Sequence, residues 1–484
     1  MYASQAKYKL GTKEPPMNNI VAEIVELLKD GTDTIERETN LHRYIGKVIC
    51  GFIAEALVLL DDGLWLEYKK QGAGSERKDC RTLITAYGEV ELRRRLVRLP
   101  DGRTVYPLDE AMGFGKRERF SPYLQYVIAG IATKCTYRDT AAAVGALTNV
   151  TISHTQVGTI LKRVGQAYTQ WEDARLSVEV PTEEKLKKPA VLRIEGDAVE
   201  ISGKGKKRIE IHRFQIAEGV ETHGNRHSLI GTYCVAATQH AKAVEKMQSY
   251  IEQHYDLSQT LVLSNSDGGP GYGKDVFDTM LGMTGRHEHF RDAYHVNKKC
   301  KERLNFVPKE LSRQFQRSLW QHDKAKVTTQ LDTMESLAED DCQVEQLKRL
   351  RAYLDRNWEY LVPVKMRGIT EELKGLGTCE SNHRPFSFRM KRQGKSWGVE
   401  GAEAIANIIS GLRNGDLTQA LSAQNPQFAK KADKTYKNAV RNALKKSKAI
   451  PHIGAHAGSI WTECPTSSAI GQLAKFINFG GMIA

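Results

Sequence analysis

Leu261-Val262-Leu263-Ser264-Asn265-Ser266-Asp267-Gly268-Gly269-Pro270 opens as a short apolar run and stops at a turn sequence. That is the pattern of a buried central strand, and a carboxylate placed where Asp267 stands emerges at the strand's carboxyl edge. In open sheets this edge is where ligand chemistry gathers. A second strand signal, 191–201, contains Arg193-Ile194-Glu195-Gly196-Asp197, in which an acid beside a glycine interrupts the apolar pattern. Two such strands lying side by side bring Asp197 and Asp267 together. Further strand signals at 208–217 and 228–237 and a helix over 241–255 complete the order β-β-β-α-β, which describes a mixed sheet.

Working outward from this sheet, residues 181–189 (Pro-Thr-Glu-Glu-Lys-Leu-Lys-Lys-Pro) read as a charged linker bounded by prolines. Ahead of it, 1–75 is a helical region and 76–118 a basic β-hairpin region with the turn Pro100-Asp101-Gly102. Residues 119–180 read as helices arranged as a helix-turn-helix, with an ordinary helical hairpin in a larger core as the competing reading. Its last two helices are expected at 136–146 and 153–165, and Ser153 and Gln156 have capping-box spacing. Val157, Ile160, Leu161 and Val164 form one apolar stripe, leaving His154, Thr155, Thr159, Lys162 and Arg163 for base edges and phosphates. Beyond the linker, 190–295 holds the first part of the sheet domain and 296–365 an all-helical insertion. Residues 366–425 return to the sheet domain, and 426–484 form a basic C-terminal region. The fold class is thus multidomain α+β, a mixed sheet flanked by helices and interrupted by an all-α insertion.

Lys and Arg number 71 against 58 Asp and Glu, a formal charge of +13, with a pI near 9.2. A polyanion such as double-stranded DNA suits this balance better than an acidic metabolite. Eight cysteines without a C-x-x-C pair argue against a disulfide framework or zinc ribbon and fit a reducing cytoplasm. The most apolar runs, such as Ala56-Leu57-Val58-Leu59-Leu60, fall far short of the ~20 residues a spanning helix needs, so no membrane partner is expected. The N-terminus also lacks the pattern of a secretory signal.

Glu380 lies in Gly375-Leu376-Gly377-Thr378-Cys379-Glu380, after a glycine-rich break from which a helix can carry it back across the sheet edge. Converging carboxylates repel one another unless hard cations neutralise them. Two Mg²⁺ (or Mn²⁺) ions per site would then activate a water or a 3′-hydroxyl and stabilise the leaving oxygen of a phosphodiester. Each acid alone is more commonly a turn or cap residue, so the inference rests on the combination.

Taken in order, Asp197, Ser266-Asp267-Gly268, Asp292-Ala293-Tyr294-His295 and Glu380-Ser381, followed by Arg389, Gly394 and Trp397, resemble the ISLre-type family of bacterial insertion-sequence transposases. The resemblance covers most of the chain, including Thr85-Ala86-Tyr87-Gly88-Glu89 and Arg93-Arg94-Arg95. It implies an RNase H-like fold and a DDE triad in which Asp197, Asp267 and Glu380 are the metal ligands. It also implies catalytic roles for Asp292 and His295 near the cut strand. The activity implied is cleavage at insertion-sequence ends by metal-assisted hydrolysis, then joining of the 3′-hydroxyl ends to target DNA. The enzyme would work in the cytoplasm, at the nucleoid, as a homodimer or higher homo-oligomer when two ends are synapsed.

Among Lys391, Arg392 and Lys395, Trp397 offers a stacking surface for an unpaired base, burial in a core being the competing reading. Lys430, Lys434, Lys437, Arg441, Lys445 and Lys448 fall on one face of a helix with only Asp433 opposing, a stripe suited to a phosphate backbone. His287, His289, Asp292 and His295 have short spacings open to zinc, but they straddle a strand-to-helix junction and a structural role is the stronger reading. Two other functions remain open from sequence: a DNA-binding regulator without catalysis, and a structure-selective nuclease on the same fold.

Overall fold

The computed structural model describes residues 17–176, 186–224, 226–369, 376–391 and 393–422. The basic stripe from Lys430 to Lys448, Arg392 and most of the proposed linker lie outside the described residues. The described residues divide into two compact units, one built from residues 17–124 and 144–151, the other from the described residues of 125–143 and 152–422.

In the first unit, helix α1 (Met17–Lys29) precedes the long α2 (Thr34–Lys70), which starts where the Asp33 carboxylate accepts the Glu36 amide at 2.8 Å. Strands β1 (Gly74–Thr85), β2 (Gly88–Arg98) and β3 (Thr104–Val105) form an antiparallel sheet, followed by α3 (Pro107–Met112). Leu57, Leu60 and Leu64 of α2 bury against Leu83, Val90 and Leu92 of the hairpin and Leu108 of α3. Much of the hairpin's basic charge is answered internally. Arg81 and Arg94 both bind Asp109 at 2.8 Å, and Arg95 binds Asp62 at 2.6 Å, whereas Arg93 is exposed.

Next come α4 (Pro122–Ala132), α5 (Tyr137–Leu147) and α6 (His154–Leu176). The expected capping box is present: the Ser153 amide donates to Gln156 and the Gln156 amide to Ser153 Oγ, at 2.8 and 3.1 Å. Helix α6 runs well past the expected end at residue 165, because its apolar stripe continues through Ala167 and Tyr168, both buried.

The second unit centres on a five-stranded mixed sheet of order β10-β9-β4-β5-β8, comprising β4 (Val191–Ser202), β5 (Arg208–Ala217), β8 (Tyr233–Ala237), β9 (Leu261–Ser266) and β10 (Arg286–Arg291). β4, β9 and β10 are mutually parallel, while β5 is antiparallel to both its neighbours. The single strand expected at 228–237 is instead two. β6 (Gly219–His223) and β7 (Arg226–Ile230) make a separate hairpin, and only β8 joins the main sheet. Gly231, at φ 59°, supplies the left-handed turn between β7 and β8.

One face of the sheet is apolar. Leu192, Ile194, Phe214, Ile216 and Val262 pack against α7 (His240–His254) and α8 (Lys274–Leu281) through Met247, Ile251 and Phe277. Gly196 belongs to this face, where a Cβ would come within 2.5 Å of the Phe214 ring, so no larger residue fits there without displacing that ring. Helices α9 (Ala293–Arg303), α10 (Lys309–Trp320), α11 (Lys324–Ser336) and α12 (Asp341–Asn357) follow β10 and share a core of Val296, Phe315, Leu331, Met334 and Leu350. The chain returns as α13 (Cys379–Met390), α14 (Val399–Asn414) and α15 (Leu417–Ser422). α6 lies close along α14: a Cβ on Gly165 would fall 2.5 Å from the Ala404 backbone.

A buried ion pair ties α6 to α7, with Lys246 Nζ donating to Glu172 at 2.6 Å and to Asn407 of α14 at 3.3 Å. Removing one partner strands a charge in the core. Lys246→Met is therefore expected to lower unfolding stability by about 3 kcal/mol or more, and Lys246→Met with Glu172→Leu to recover most of the loss. Urea denaturation followed by circular dichroism measures both.

Candidate active site

The acids converge because of strand register. Glu195 pairs with Asn265 and Gly196 with Ser266 across β4 and β9, and Ser266 pairs with Arg291 across β9 and β10. Asp197, Asp267 and Asp292 each stand one residue further on, so a row of carboxylates forms where the parallel pairing stops; β9 and β10 end there, whereas β4, expected to end at Asp197, runs on to Ser202 paired with β5. The Asp292 amide continues the ladder, donating to the Ser266 carbonyl at 2.9 Å. Each acid also orders its own local backbone. Asp267 accepts the Gly269 amide at 2.8 Å, Asp197 the Ala198 amide at 2.6 Å, and Asp292 caps α9 by accepting the amides of Tyr294 and His295. Among the described residues neither Asp197 nor Asp267 has a Lys or Arg ion-pair partner.

His295 stands over this row, 3.6 Å from Asp292. The Asp292 carboxylate raises its imidazole above the ordinary value of 6.5; burial opposes this, and the charges of Asp197 and Asp267 add to it. Burial tends to push Asp292 up, but its hydrogen bonds from His295 and the α9 amides hold it below the ordinary carboxylate range. Lys299, one turn further along α9, is lowered by burial, with the Asp267 charge working the other way.

Helix α13 is fixed onto the same sheet face by two contacts absent from the expected site. Glu195 is buried on β4 two residues before Asp197. Its carboxylate accepts the Gly377 amide, the Thr378 amide at 3.1 Å, the Thr378 hydroxyl at 2.5 Å and the Asn265 side-chain amide at 3.1 Å. Burial still raises the Glu195 carboxyl above its ordinary value against these bonds. On α13 itself, His383 Nε2 meets Asp197 Oδ2 at 3.0 Å. Position 380 lies in the first turn of α13, three residues before His383, so the two positions share a helix face. The Glu380 side chain lies outside the described residues. Arg213, the register partner of Asp197 on β5, is buried with its guanidinium over the Phe386 ring, and its Nε and Nη1 find no hydrogen-bond partner among the described residues.

Glu195 was legible as an acid in the middle of a buried strand, and His383 as a histidine one helical turn past Glu380. Both signals fall within stretches already singled out. Other expected residues are placed differently. Arg389 and Trp397 are buried, the guanidinium 4.9 Å from the indole centroid and donating to the Ala132 carbonyl, so neither presents a free face to DNA. Lys391 is exposed and Lys395 half-buried. On α6, His154, Thr155, Thr159 and Lys162 are exposed and Arg163 half-buried. The residues of the zinc reading do not converge. His287 and His289 hydrogen-bond Ser264 at 2.6 and 2.7 Å from the β10 face opposite Asp292, and burial lowers His289 to about 3. Among the described residues no cluster of three or more His, Cys, Asp or Glu side chains forms a ready metal cage. None of the described helices is long and apolar enough to cross a membrane.

Fold and site together define a mixed α/β protein whose central sheet carries a row of acids at the carboxyl edge of its parallel strands. The chain belongs to the UPF0236 family, an uncharacterised protein family whose profile matches residues 27–426. It is 34% identical over 462 residues to a UPF0236 protein in the vanSb 3′ region of Streptococcus gallolyticus, covering 95% of this chain and all of that one. It is 24% identical over 443 residues to a UPF0236 protein of Caldanaerobacter subterraneus subsp. tengcongensis, covering 89% of this chain and 90% of the relative.

The Asp292–His295 pair has a testable pH signature. A raised imidazole contributes stability below the ordinary histidine value and loses it as pH rises through the raised one; the depressed Asp292 carboxyl loses its share only as pH falls through its own lowered value. In metal-free protein, an NMR titration is expected to find His295 above 6.5, and Asp292→Asn to bring it down. An unmoved His295 midpoint would show that Asp292 does not set it.

Proposed function

We propose that the protein is a DDE-type transposase with an RNase H-like catalytic domain, which binds insertion-sequence ends, cleaves them and joins their 3′-hydroxyls to target DNA. The observation that carries this reading is the register that sets Asp197 and Asp267 side by side just past the last β4–β9 pair, with α13 and its residue 380 docked over the same sheet face. Support for the RNase H-like reading comes from strand order, in which β9 and β10, parallel to β4, lie on one side of it, and β5, antiparallel to both β4 and β8, lies on the other. One Caldanaerobacter relative is named by eleven gene labels at once, as befits a gene carried in many copies, which is what a mobile element leaves behind.

The oxygen-only donors Asp197, Asp267 and Glu380 suit hard cations, and two Mg²⁺ or Mn²⁺ ions, when bound, would supply charge neutralisation and Lewis acidity at the scissile phosphate. His383 holds Asp197 in place, and Glu195 holds the chain that leads to Glu380. His295, as a cation, offsets the mutual repulsion of the aspartates. In the first step water adds to the scissile phosphorus and the P–O3′ bond breaks, freeing a 3′-hydroxyl. In the second, that hydroxyl attacks a target phosphodiester and displaces its 3′ oxygen, so one phosphodiester replaces another and no ATP is consumed. The α5–α6 pair, read as a helix-turn-helix, presents His154, Thr155, Thr159 and Lys162 to duplex DNA. Two ends must be held together, so the working form is a homodimer or larger, acting at the nucleoid.

Incubating the protein with labelled DNA bearing the element ends and Mg²⁺ is expected to give both cleaved and joined products. Asp267→Asn and Asp197→Asn are expected to reduce both by at least about 100-fold, near 3 kcal/mol of barrier. Undiminished cleavage by Asp267→Asn would remove the triad, and cleavage of branched DNA without joining would identify a nuclease instead.

A further inference from the structure

At the far end of β4 from Asp197 lies a cleft of about 800 Å³ with a different character from the acidic row. Buried Trp397 supports its floor from beneath, held to the strand end by its amide donating to Ser202 and its carbonyl accepting from Lys204, both at 2.9 Å; the half-buried Tyr137 ring, edge-on to the indole at 6.5 Å, is the aromatic surface. Val399 adds an exposed apolar edge. Cations surround this floor. Arg138, Lys204 and Lys395 line the cleft, and among the described residues none of the three has a carboxylate within ion-pair distance. Burial, with the neighbouring Arg389 charge, lowers Lys395 to about 8. Lys162 closes one side through a 2.5 Å contact with Glu400, the only acid lining the cleft among the described residues, and that pair is largely solvent-exposed. The uncapped N-terminus of α14 at Gly398 opens into the same space and adds partial positive charge.

We propose that this cleft binds one nucleotide unit of a DNA strand, its phosphate held by Lys204, Lys395 and the α14 amides and its flat face resting on the apolar floor. A bare anion site would not need the aromatic floor, and an apolar-ligand site would not gather three cations that no carboxylate neutralises. The five residues from Asp197 to Ser202 span about 17 Å of extended strand. Five base-pair steps of about 3.4 Å cover the same length, so a strand gripped here can reach the acidic row. This assignment rests on the DNA-substrate reading above and deepens it.

The test uses the full chain in EDTA, so that binding is read without the metal-dependent reaction. Fluorescence anisotropy with a labelled 20-bp duplex over a KCl series measures affinity for wild type, Lys204→Ala, Lys395→Ala and Glu400→Gln, with thermal melting as the check on folding. Each lysine variant is expected to weaken binding several-fold and to reduce the slope of log K against log salt by about 1. Glu400→Gln, which removes the competing acid, is expected to tighten it. Thermal stabilisation by thymidine 5′-monophosphate, lost in both lysine variants, reads the cleft independently of duplex binding. Lysine variants that keep the wild-type affinity and salt slope overturn the cleft while leaving the DNA reading intact. Stabilisation by the mononucleotide through these lysines, with no duplex binding by wild type, keeps the cleft and overturns the transposase reading. Absence of both kinds of binding overturns both.

Discussion

Glu195 has no solvent to relieve it and sits in the middle of a strand, where burying an unsatisfied carboxylate would cost several kcal/mol. Its needs are met by Asn265 on the next strand and by the Gly377 and Thr378 amides and the Thr378 hydroxyl, 183 residues away in sequence for the Thr378 contacts. That requirement fixes where the chain re-enters the sheet domain after the α9–α12 segment. Because Glu195 and Asp197 share a face of β4, whatever satisfies Glu195 is delivered next to Asp197, and His383 closes the second contact. The docking of α13 therefore follows from a polar group that has nowhere else to turn.

The opposite face follows a simpler rule. Leu192, Ile194, Phe214 and Ile216 alternate with the polar residues and bury against α7 and α8, which fixes the register of the sheet by the hydrophobic pattern alone. Once register is set on the apolar side, the polar side has no freedom left: Asp197, Asp267 and Asp292 must end in one row. The site is thus largely a by-product of packing, with hydrogen bonds adding the last element.

Much of this was legible in the chain. The apolar run into Asp267 marked a true strand end, whereas β4 runs on past the Gly196-Asp197 interruption to Ser202 because β5 keeps pairing with it; a mixed sheet followed by helices was expected and is present. The separate β6–β7 hairpin was not, because a strand and a hairpin arm share the same two-residue alternation and only pairing partners distinguish them. The length of α6 was missed for a related reason: the expected end followed local glycine, whereas Gly165 is where α14 approaches closely and the apolar stripe runs on. Arg389 read as a DNA-facing group, and Trp397 as either a stacking surface or a core residue; the structure takes the second, with the guanidinium over the buried indole. Glu195 and His383 stood in stretches already singled out, but their partners lie across the sheet domain, where no spacing announces them.

The separation between Glu195 and Thr378 also bears on the order in which the molecule comes into being. Closing so long a loop is entropically slow compared with forming the local helices and hairpins. During synthesis the aspartates emerge with their strands well before α13 leaves the ribosome, so a nascent or truncated chain can hold the acidic row without the helix that covers it. Completion of the site waits on synthesis of α13, and fragments that stop short of it are born without the assembled edge.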